Sequence, residues 1–192
     1  FMLSVLVAVV FAILSNEIVR QLGLDAADLG LLGGVFFLTY AVSQFALGIL
    51  ISRVPARWVL GPTAILAALG TFFFSLSEGL TAAIIARALM GLGLGSTFVG
   101  VIYLVGRRYG NNFAFMSALS QSLANVGAAA LAILSAFLPL LVDFRFPFQV
   151  LGALLLASAV LIFWWVDDAP LASSGPAPSL GAAFKSAVSS SQ

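Results

Sequence analysis

Six long apolar stretches dominate the sequence, and their length restricts the chain to folds that cross a lipid bilayer. A helix needs about 20 residues to cross roughly 30 Å of hydrocarbon. The apolar stretches occupy residues 1–19, 29–51, 58–76, 80–105, 113–141 and 148–166. The sequence therefore predicts an all-α integral membrane protein, with a bundle of six transmembrane helices over residues 1–168.

Composition supports this class of protein and argues against several functions. The chain is 62% hydrophobic and 8% charged, whereas a soluble domain carries roughly 25% charged residues. It contains no Cys and no His, so this chain offers no thiolate or imidazole metal site and no histidine general base. We therefore predict no cofactor and no enzymatic activity. The net charge of +1 gives no indication of nucleic-acid binding.

The arginines between the stretches predict an orientation. If the helices alternate, Arg53, Arg57, Arg107 and Arg108 fall on one side together with Lys185, and the other side holds only Arg20 and Arg145. The side richer in basic residues faces the cytoplasm under the positive-inside rule. We therefore expect both ends of the chain to be cytoplasmic, in a bacterial cytoplasmic membrane. Residues 169–192 begin with a segment rich in Ala, Ser, Pro and Gly, which predicts a cytoplasmic linker and tail.

A charged residue, Arg87, lies inside the fourth stretch. A charge at the bilayer centre costs about 2.5–3.5 kcal/mol on the insertion scale, so such residues usually face a bundle interior or a wet cavity. Two interpretations are equally open: a functional cavity residue, or a structural arginine that either snorkels toward the interface or bonds backbone carbonyls. Gly91 and Gly95 follow at intervals of four on the same helix face. We interpret them as a site of close helix packing.

Polar residues also recur at intervals of four in two other stretches. They are Ser117, Gln121 and Asn125 in the fifth stretch, and Tyr40, Gln44 and Gly48 in the second. Such stripes in a membrane helix face protein or water, through interhelical hydrogen bonds or along a substrate path. No Asp or Glu lies deep in any stretch, so the membrane-embedded carboxylate of many proton- or sodium-coupled pumps is missing.

Three short motifs carry a resemblance to a known family. Residues 48–57 resemble the signature loop between the second and third helices of the major facilitator superfamily. Gly48, Arg53 and Arg57 match that pattern, whereas Ser52 replaces its aspartate. In the family this aspartate helps to lock the two halves of the transporter together, and a serine cannot carry its charge.

The other two motifs follow in the family's order and spacing. Arg87, Gly91 and Gly95 resemble the fourth-helix motif, an arginine followed by spaced glycines. Arg145, between two phenylalanines, resembles the aromatic-arginine-aromatic start of the sixth helix. The resemblance extends from residue 1 to about residue 168.

The resemblance implies a fold and a function. Members of the family have twelve helices in two six-helix halves around a central cavity, with two inverted three-helix repeats in each half. This chain resembles the N-terminal half, in which helices one and four would line the cavity. The candidate substrate-cavity residues are Asn16, Tyr40, Gln44, Arg87, Gln121 and Asn125. The implied function is half of a secondary-active transporter that moves a small solute by alternating access.

Such a half needs a second six-helix half, in the same chain, in a separate chain or in a second copy of this one. The alternative is a non-transporting accessory, scaffold or assembly subunit of a larger membrane complex. Ser52 and the missing intramembrane acids favour this alternative, whereas the polar stripes favour a transporter.

Overall fold

The structure, a computed structural model, describes residues 1–51, 53–135 and 143–166, which contain seven α-helices and no strand. The helices are α1 (Met2–Ile13), α2 (Ser15–Leu22), α3 (Ala26–Ile51), α4 (Ala56–Ser75), α5 (Leu80–Arg108), α6 (Phe113–Ser135) and α7 (Arg145–Trp165). A 3-10 turn, Gly110–Asn112, precedes α6. The all-α prediction is confirmed. Ser52, Lys185, the end of the fifth predicted stretch and the predicted tail lie outside the described residues.

Length and hydropathy identify the membrane spans. Among the described residues, α3, α4, α5 and α7 are each long and apolar enough to cross a bilayer, and α1 with α2 would make a fifth span. The fifth predicted stretch contains α6, which is not among these candidate spans within the described residues. Helices therefore occupy all six predicted stretches.

The first stretch is not the single continuous helix that its apolar character predicts. It breaks at Leu14, and α1 and α2 are bent by 63° relative to each other. The reason is that the nearly all-apolar sequence of α1 gives way to an amphipathic sequence after the break. Helix α2 is amphipathic: Ile18 and Leu22 are buried, whereas Asn16 and Arg20 are exposed. By changing direction, α2 buries its two apolar residues and leaves its polar side uncovered.

Helix α5 lies between α3 and α4 and forms the largest interfaces of the bundle with them. Its glycines bring the backbones together. A Cβ atom at Gly95 would lie 2.7 Å from the carbonyl oxygen of Tyr40 in α3, and one at Gly93 would lie 2.7 Å from the Cα of Ala67 in α4. Since real Cβ atoms do not approach this closely, only glycine fits at both positions. A Cβ at Gly91 would likewise lie 2.5 Å from the carbonyl oxygen of Phe36, so the prediction of close packing at Gly91 and Gly95 is confirmed.

Hydroxyl groups join the same segment of α5 to its neighbours. Ser43 of α3 donates to the carbonyl of Leu92, with 2.6 Å between oxygens. The hydroxyls of Thr63 in α4 and Ser96 lie 2.6 Å apart. Hydrogen bonds between helices in a membrane contribute about 0.6 kcal/mol each on average, so these pairs add modestly to the packing.

Helices α3 and α4 touch each other very little, although only a short connection separates them. The general rule is that short loops make consecutive helices neighbours. It holds for α4 and α5 but not for α3 and α4. The reason is that α5 occupies the space between α3 and α4.

Aromatic rings attach the start of α7 to the end of α4. The ring centroids of Phe74 and Phe148 lie 4.7 Å apart, and those of Phe74 and Phe144 lie 5.8 Å apart. All three side chains are fully buried. Phe144 of the third motif therefore belongs to the packed core of the bundle, whereas Phe146, on the other side of Arg145, is 59% exposed.

Arg145 completes this joint by binding the end of α4. Its Nη1 donates to the carbonyl of Ser75 at 3.1 Å, and its Nη2 donates to the carbonyl of Ser77 at 3.3 Å. The last carbonyls of a helix have no partner within the helix and carry partial negative charge, so a guanidinium suits them. Arg145 thus has a structural role in the half-bundle.

Replacing Arg145 with glutamine is expected to lower the free energy of unfolding by about 1.5–3 kcal/mol, since hydrogen bonds to a charged group contribute that much. Thermal unfolding in mild detergent measures the change. Arg20→Gln is the matched control, because Arg20 forms an exposed ion pair with Glu17 and such pairs contribute little. An equal midpoint for the two variants would contradict this role.

Candidate functional site

Arg87 is enclosed between two aromatic rings from different helices. The centre of its guanidinium lies 3.9 Å from the ring centroid of Phe11 in α1 and 4.3 Å from that of Phe36 in α3. Its Nε donates to the carbonyl of Leu32 at 3.3 Å, and its Nη1 lies 3.7 Å from the sulfur of Met90. The residue is 1% exposed.

These contacts hold the cation without an opposite charge: within the described residues, no carboxylate lies at ion-pair distance from Arg87. Cation–π contacts reach about 2 kcal/mol or more when both partners are desolvated. Arg87 therefore links α1 and α3 to α5, as the structural interpretation expects. Direct contact with a solute stays a prediction, and it would require Phe11 or Phe36 to move aside.

The amides of α6 have a different environment. Gln121 Nε2 and Asn125 Oδ1 lie 3.5 Å apart; Gln121 is half-buried and Asn125 is exposed. One turn earlier, the hydroxyl oxygen of Ser117 is buried and has no hydrogen-bond partner in the described part of the chain. The neighbouring residues Leu123 and Val126 are exposed by 61% and 66%. The described bundle therefore leaves the Asn125 side chain exposed and the Gln121 side chain only half-covered, beside apolar surface.

The polar stripe of α3 lies along the contact with α5. Tyr40 and Gln44 are half-buried and hydrogen-bonded to each other, and the ring of Tyr40 stacks on that of Phe36 with centroids 5.9 Å apart. A Cβ at Gly48 would lie 4.0 Å from Val99 of α5. Part of this stripe therefore packs against α5, and the half-buried side chain of Gln44 extends to the surface of the bundle.

Asn16 lies on the exposed side of α2, whereas Arg87 is enclosed in the bundle. In this structure the two residues therefore do not face the same space, although the resemblance placed both near one cavity. Their assignment to a substrate cavity stays a prediction.

The signature-loop arginines lie at one end of the bundle. Ile51, Ala56 and Leu60 beside the loop pack against Tyr103 of α5 and Val166 beyond α7. This end of the bundle thus holds four arginines, and we call it the basic end: Arg53, Arg57, Arg107 and Arg108.

Within the signature loop itself, Arg53 is exposed and Arg57 is half-buried. The Nε of Arg57 is buried and has no hydrogen-bond partner among the described residues. Ser52, the position that departs from the family pattern, lies outside them.

Sequence reasoning missed the partners of Arg87. Phe11 and Phe36 are 76 and 51 residues from Arg87 in the sequence and belong to apolar stretches rich in phenylalanine. No local pattern distinguishes them from phenylalanines that face lipid, such as Phe37, which is 62% exposed. The signal that could have identified them is the need of a buried guanidinium for aromatic or carbonyl partners.

Metal ligands were not predicted, and in the segments that the structure describes no three His, Cys, Asp or Glu residues lie close enough together to hold an ion. The arrangement offers hydrogen-bond donors and acceptors from amides and hydroxyls. It is therefore suited to binding a polar solute or a protein surface.

Comparison with known proteins gives a consistent result. The sequence model described as Major Facilitator Superfamily matches residues 1–191. The "Membrane sensor protein UhpC" of Salmonella typhimurium is 28% identical over 158 residues, which are 81% of this chain and 36% of that protein. The protein of the same name from Escherichia coli strain K12 is 28% identical over 163 residues, or 84% of this chain and 37% of that protein.

A shorter match covers 68 residues of a "Probable hexose phosphate transport protein" from Chlamydia muridarum, at 29% identity, with 35% of this chain and 15% of that protein. The chain spans little more than a third of the length of the two sensor proteins it matches. The likeness to the two sensor proteins covers more than four-fifths of this chain rather than one short motif.

Proposed function

The chain belongs to the major facilitator superfamily, and on that premise we propose that it is half of a secondary-active transporter. It would move a small solute by alternating access, rocking against a second six-helix half. Residues 1–168 form the transmembrane half and residues 169–192 the cytoplasmic linker and tail. Both ends lie in the cytoplasm of a bacterium, and the chain itself has no enzymatic activity.

The observation that carries this proposal is the pair of amides on α6. Asn125 is exposed and Gln121 is half-buried on a helix between apolar residues. A carboxamide facing hydrocarbon loses hydrogen bonds to water, so such residues face protein or a water-filled space. The described half-bundle covers neither amide fully. A second half that encloses a polar cavity over α6 would give both carboxamides hydrogen-bond partners.

We propose a hexose phosphate as the solute. Support comes from the relative named for hexose phosphate transport and from the chemistry of the amides. Carboxamides donate to phosphate oxygens, and they both donate to and accept from sugar hydroxyls. Gln44 on α3, which is half-buried, would offer a third amide.

Chemical modification at position 125 is expected to reduce the rate of hexose phosphate uptake at least tenfold, because a group attached there would fill the cavity. The chain contains no Cys, so the thiol of Asn125→Cys is the single reactive thiol that this chain presents. Uptake of radiolabelled hexose phosphate is measured in vesicles before and after a water-soluble maleimide. Hexose phosphate should also slow the labelling.

Val126→Cys is the matched control for that experiment. Val126 is 66% exposed on the next residue of α6, about 100° around the helix, where we expect lipid. Equal labelling rates at the two positions, or unchanged uptake after complete labelling at Asn125→Cys, would reject the cavity.

A membrane sensor is the second candidate function. Two relatives carry that name, and Ser52 replaces the aspartate of the signature loop. A sensor would bind hexose phosphate without carrying it across. Binding that protects Asn125→Cys in the absence of any uptake would favour the sensor over the transporter.

A further inference from the structure

A cavity opens at the basic end, between the last turns of α5 and α7. Its volume is about 460 Å³, and its walls include Arg107, Arg108, Tyr109 and Trp165. The side chains of both arginines are exposed, so a molecule in the cavity can reach them. In the described part of the chain, no Asp or Glu lines this cavity.

The arginines present their donors within this space. Arg107 Nη1 donates to the hydroxyl of Tyr103 at 3.2 Å, and its guanidinium lies 5.8 Å from the centroid of the same ring. A guanidinium has five N–H donors in a fixed plane, so it can bond several partners at once. Two adjacent guanidiniums of this kind suit a phosphate group, which accepts several charge-assisted hydrogen bonds.

The tryptophans indicate the depth of the cavity in the bilayer. Trp164 and Trp165 are each 83% exposed at the end of α7. Tryptophan is enriched where the hydrocarbon meets the headgroups, because its ring is apolar and its N–H is polar. The cavity therefore lies at headgroup level, with its arginines at the depth of lipid phosphates.

A second cavity adjoins the first on the side toward the membrane interior. Its volume is about 340 Å³, and Trp165 and Val166 line both cavities. Its walls are mainly apolar and include Leu155, Leu161 and Ile162. The two cavities together thus form one space whose first part is lined by arginines and whose second part is mainly apolar.

We propose that these two adjoining cavities bind one anionic phospholipid. Arg107 and Arg108 bind its phosphate, the ring of Trp165 lies beside its glycerol, and an acyl chain enters the apolar cavity. Charge complementarity carries the choice of lipid, since basic pockets between helices at headgroup level bind anionic headgroups. This binding is independent of whether the chain transports or senses a solute.

Native mass spectrometry of the protein, taken from nanodiscs into detergent, tests the proposal. From nanodiscs of phosphatidylglycerol and phosphatidylcholine in equal amounts, we expect the protein to retain phosphatidylglycerol preferentially. Each arginine near a membrane surface contributes about 1 kcal/mol toward an anionic lipid, so Arg108→Gln should lower the retention ratio about fivefold. Arg107→Gln with Arg108→Gln should remove the preference.

Arg53→Gln is the matched control, because Arg53 is exposed at the basic end but does not line the cavity. The same loss in this variant would show a diffuse charge effect and overturn the site. Asp167 and Asp168 follow Val166 in the sequence, and replacing both with Asn should leave the preference intact or raise it.

Glycerol phosphate, which has the headgroup chemistry without acyl chains, separates a lipid site from a site for a free phosphate ester. At millimolar concentration it should not displace the retained lipid. Displacement, or equal retention of phosphatidylcholine by the unmodified protein, would overturn the proposal.

Discussion

Replacing Gly91 with leucine is expected to prevent the bundle from assembling, so that no monodisperse protein is recovered in mild detergent. A Cβ at this position would lie 2.5 Å from the carbonyl oxygen of Phe36 and 3.0 Å from the amide nitrogen of Tyr40. Both atoms belong to the backbone of α3, which cannot turn aside as a flexible side chain can. Even Gly91→Ala should cost about 3 kcal/mol, at the upper end of what overpacking usually costs.

The measurement is size-exclusion chromatography together with the midpoint of thermal unfolding. Gly34→Ala in α3 is the matched control, because a Cβ at Gly34 meets nothing within 4 Å. That substitution should be neutral or stabilising by up to about 1 kcal/mol, since alanine favours a helix. If Gly91→Ala unfolds at the same temperature as Gly34→Ala, α3 and α5 do not pack as described.

Arg87→Ala is expected to lower the free energy of unfolding by about 3–5 kcal/mol. The substitution leaves a cavity between Phe11 and Phe36, and large-to-small changes in a core cost that much. Arg87→Met should recover most of the loss, to within about 1.5 kcal/mol of the unmodified protein. A methionine fills a similar volume, and it removes a buried charge whose desolvation is unfavourable.

Denaturation of the two variants and their binding of hexose phosphate test the two interpretations of this arginine. A structural role predicts that folded Arg87→Met still binds the solute. Loss of binding in folded, monodisperse Arg87→Met would show instead that the cation contacts the solute, as the resemblance implied. Arg145→Met serves as the control for removing a different arginine of the same half-bundle.

Much of the fold could be predicted because it depends on local patterns. Apolar stretches of membrane-spanning length specify helices, since backbone groups in hydrocarbon must bond within the segment. Gly91 and Gly95 specify a packing face, since small residues at intervals of four leave a groove on the helix. Both predictions follow from residues within a few turns of each other, and both are confirmed.

The bend at Leu14 and the burial of Arg87 depend on more distant residues. Ile18 and Leu22 determine where α2 lies, but only because the remaining helices offer them a core. Arg87 is enclosed because α1 and α3 each place a phenylalanine against it. Hydropathy treats every phenylalanine alike, so it cannot separate these two from those that face lipid. The cavity proposed over α6 depends on a second half, which local patterns in this chain do not describe.

The position of α5 has a consequence for how the protein is made. Helices α3 and α4 pack on α5 rather than on each other, and α5 follows both in the chain. At roughly 5–20 residues per second, a ribosome needs about 2–6 s to add the 29 residues of α5. For that time the nascent α3 and α4 lie in the membrane without their main partner. The faces of α3 and α4 that α5 will cover therefore stay open to lipid or to other nascent helices until α5 arrives.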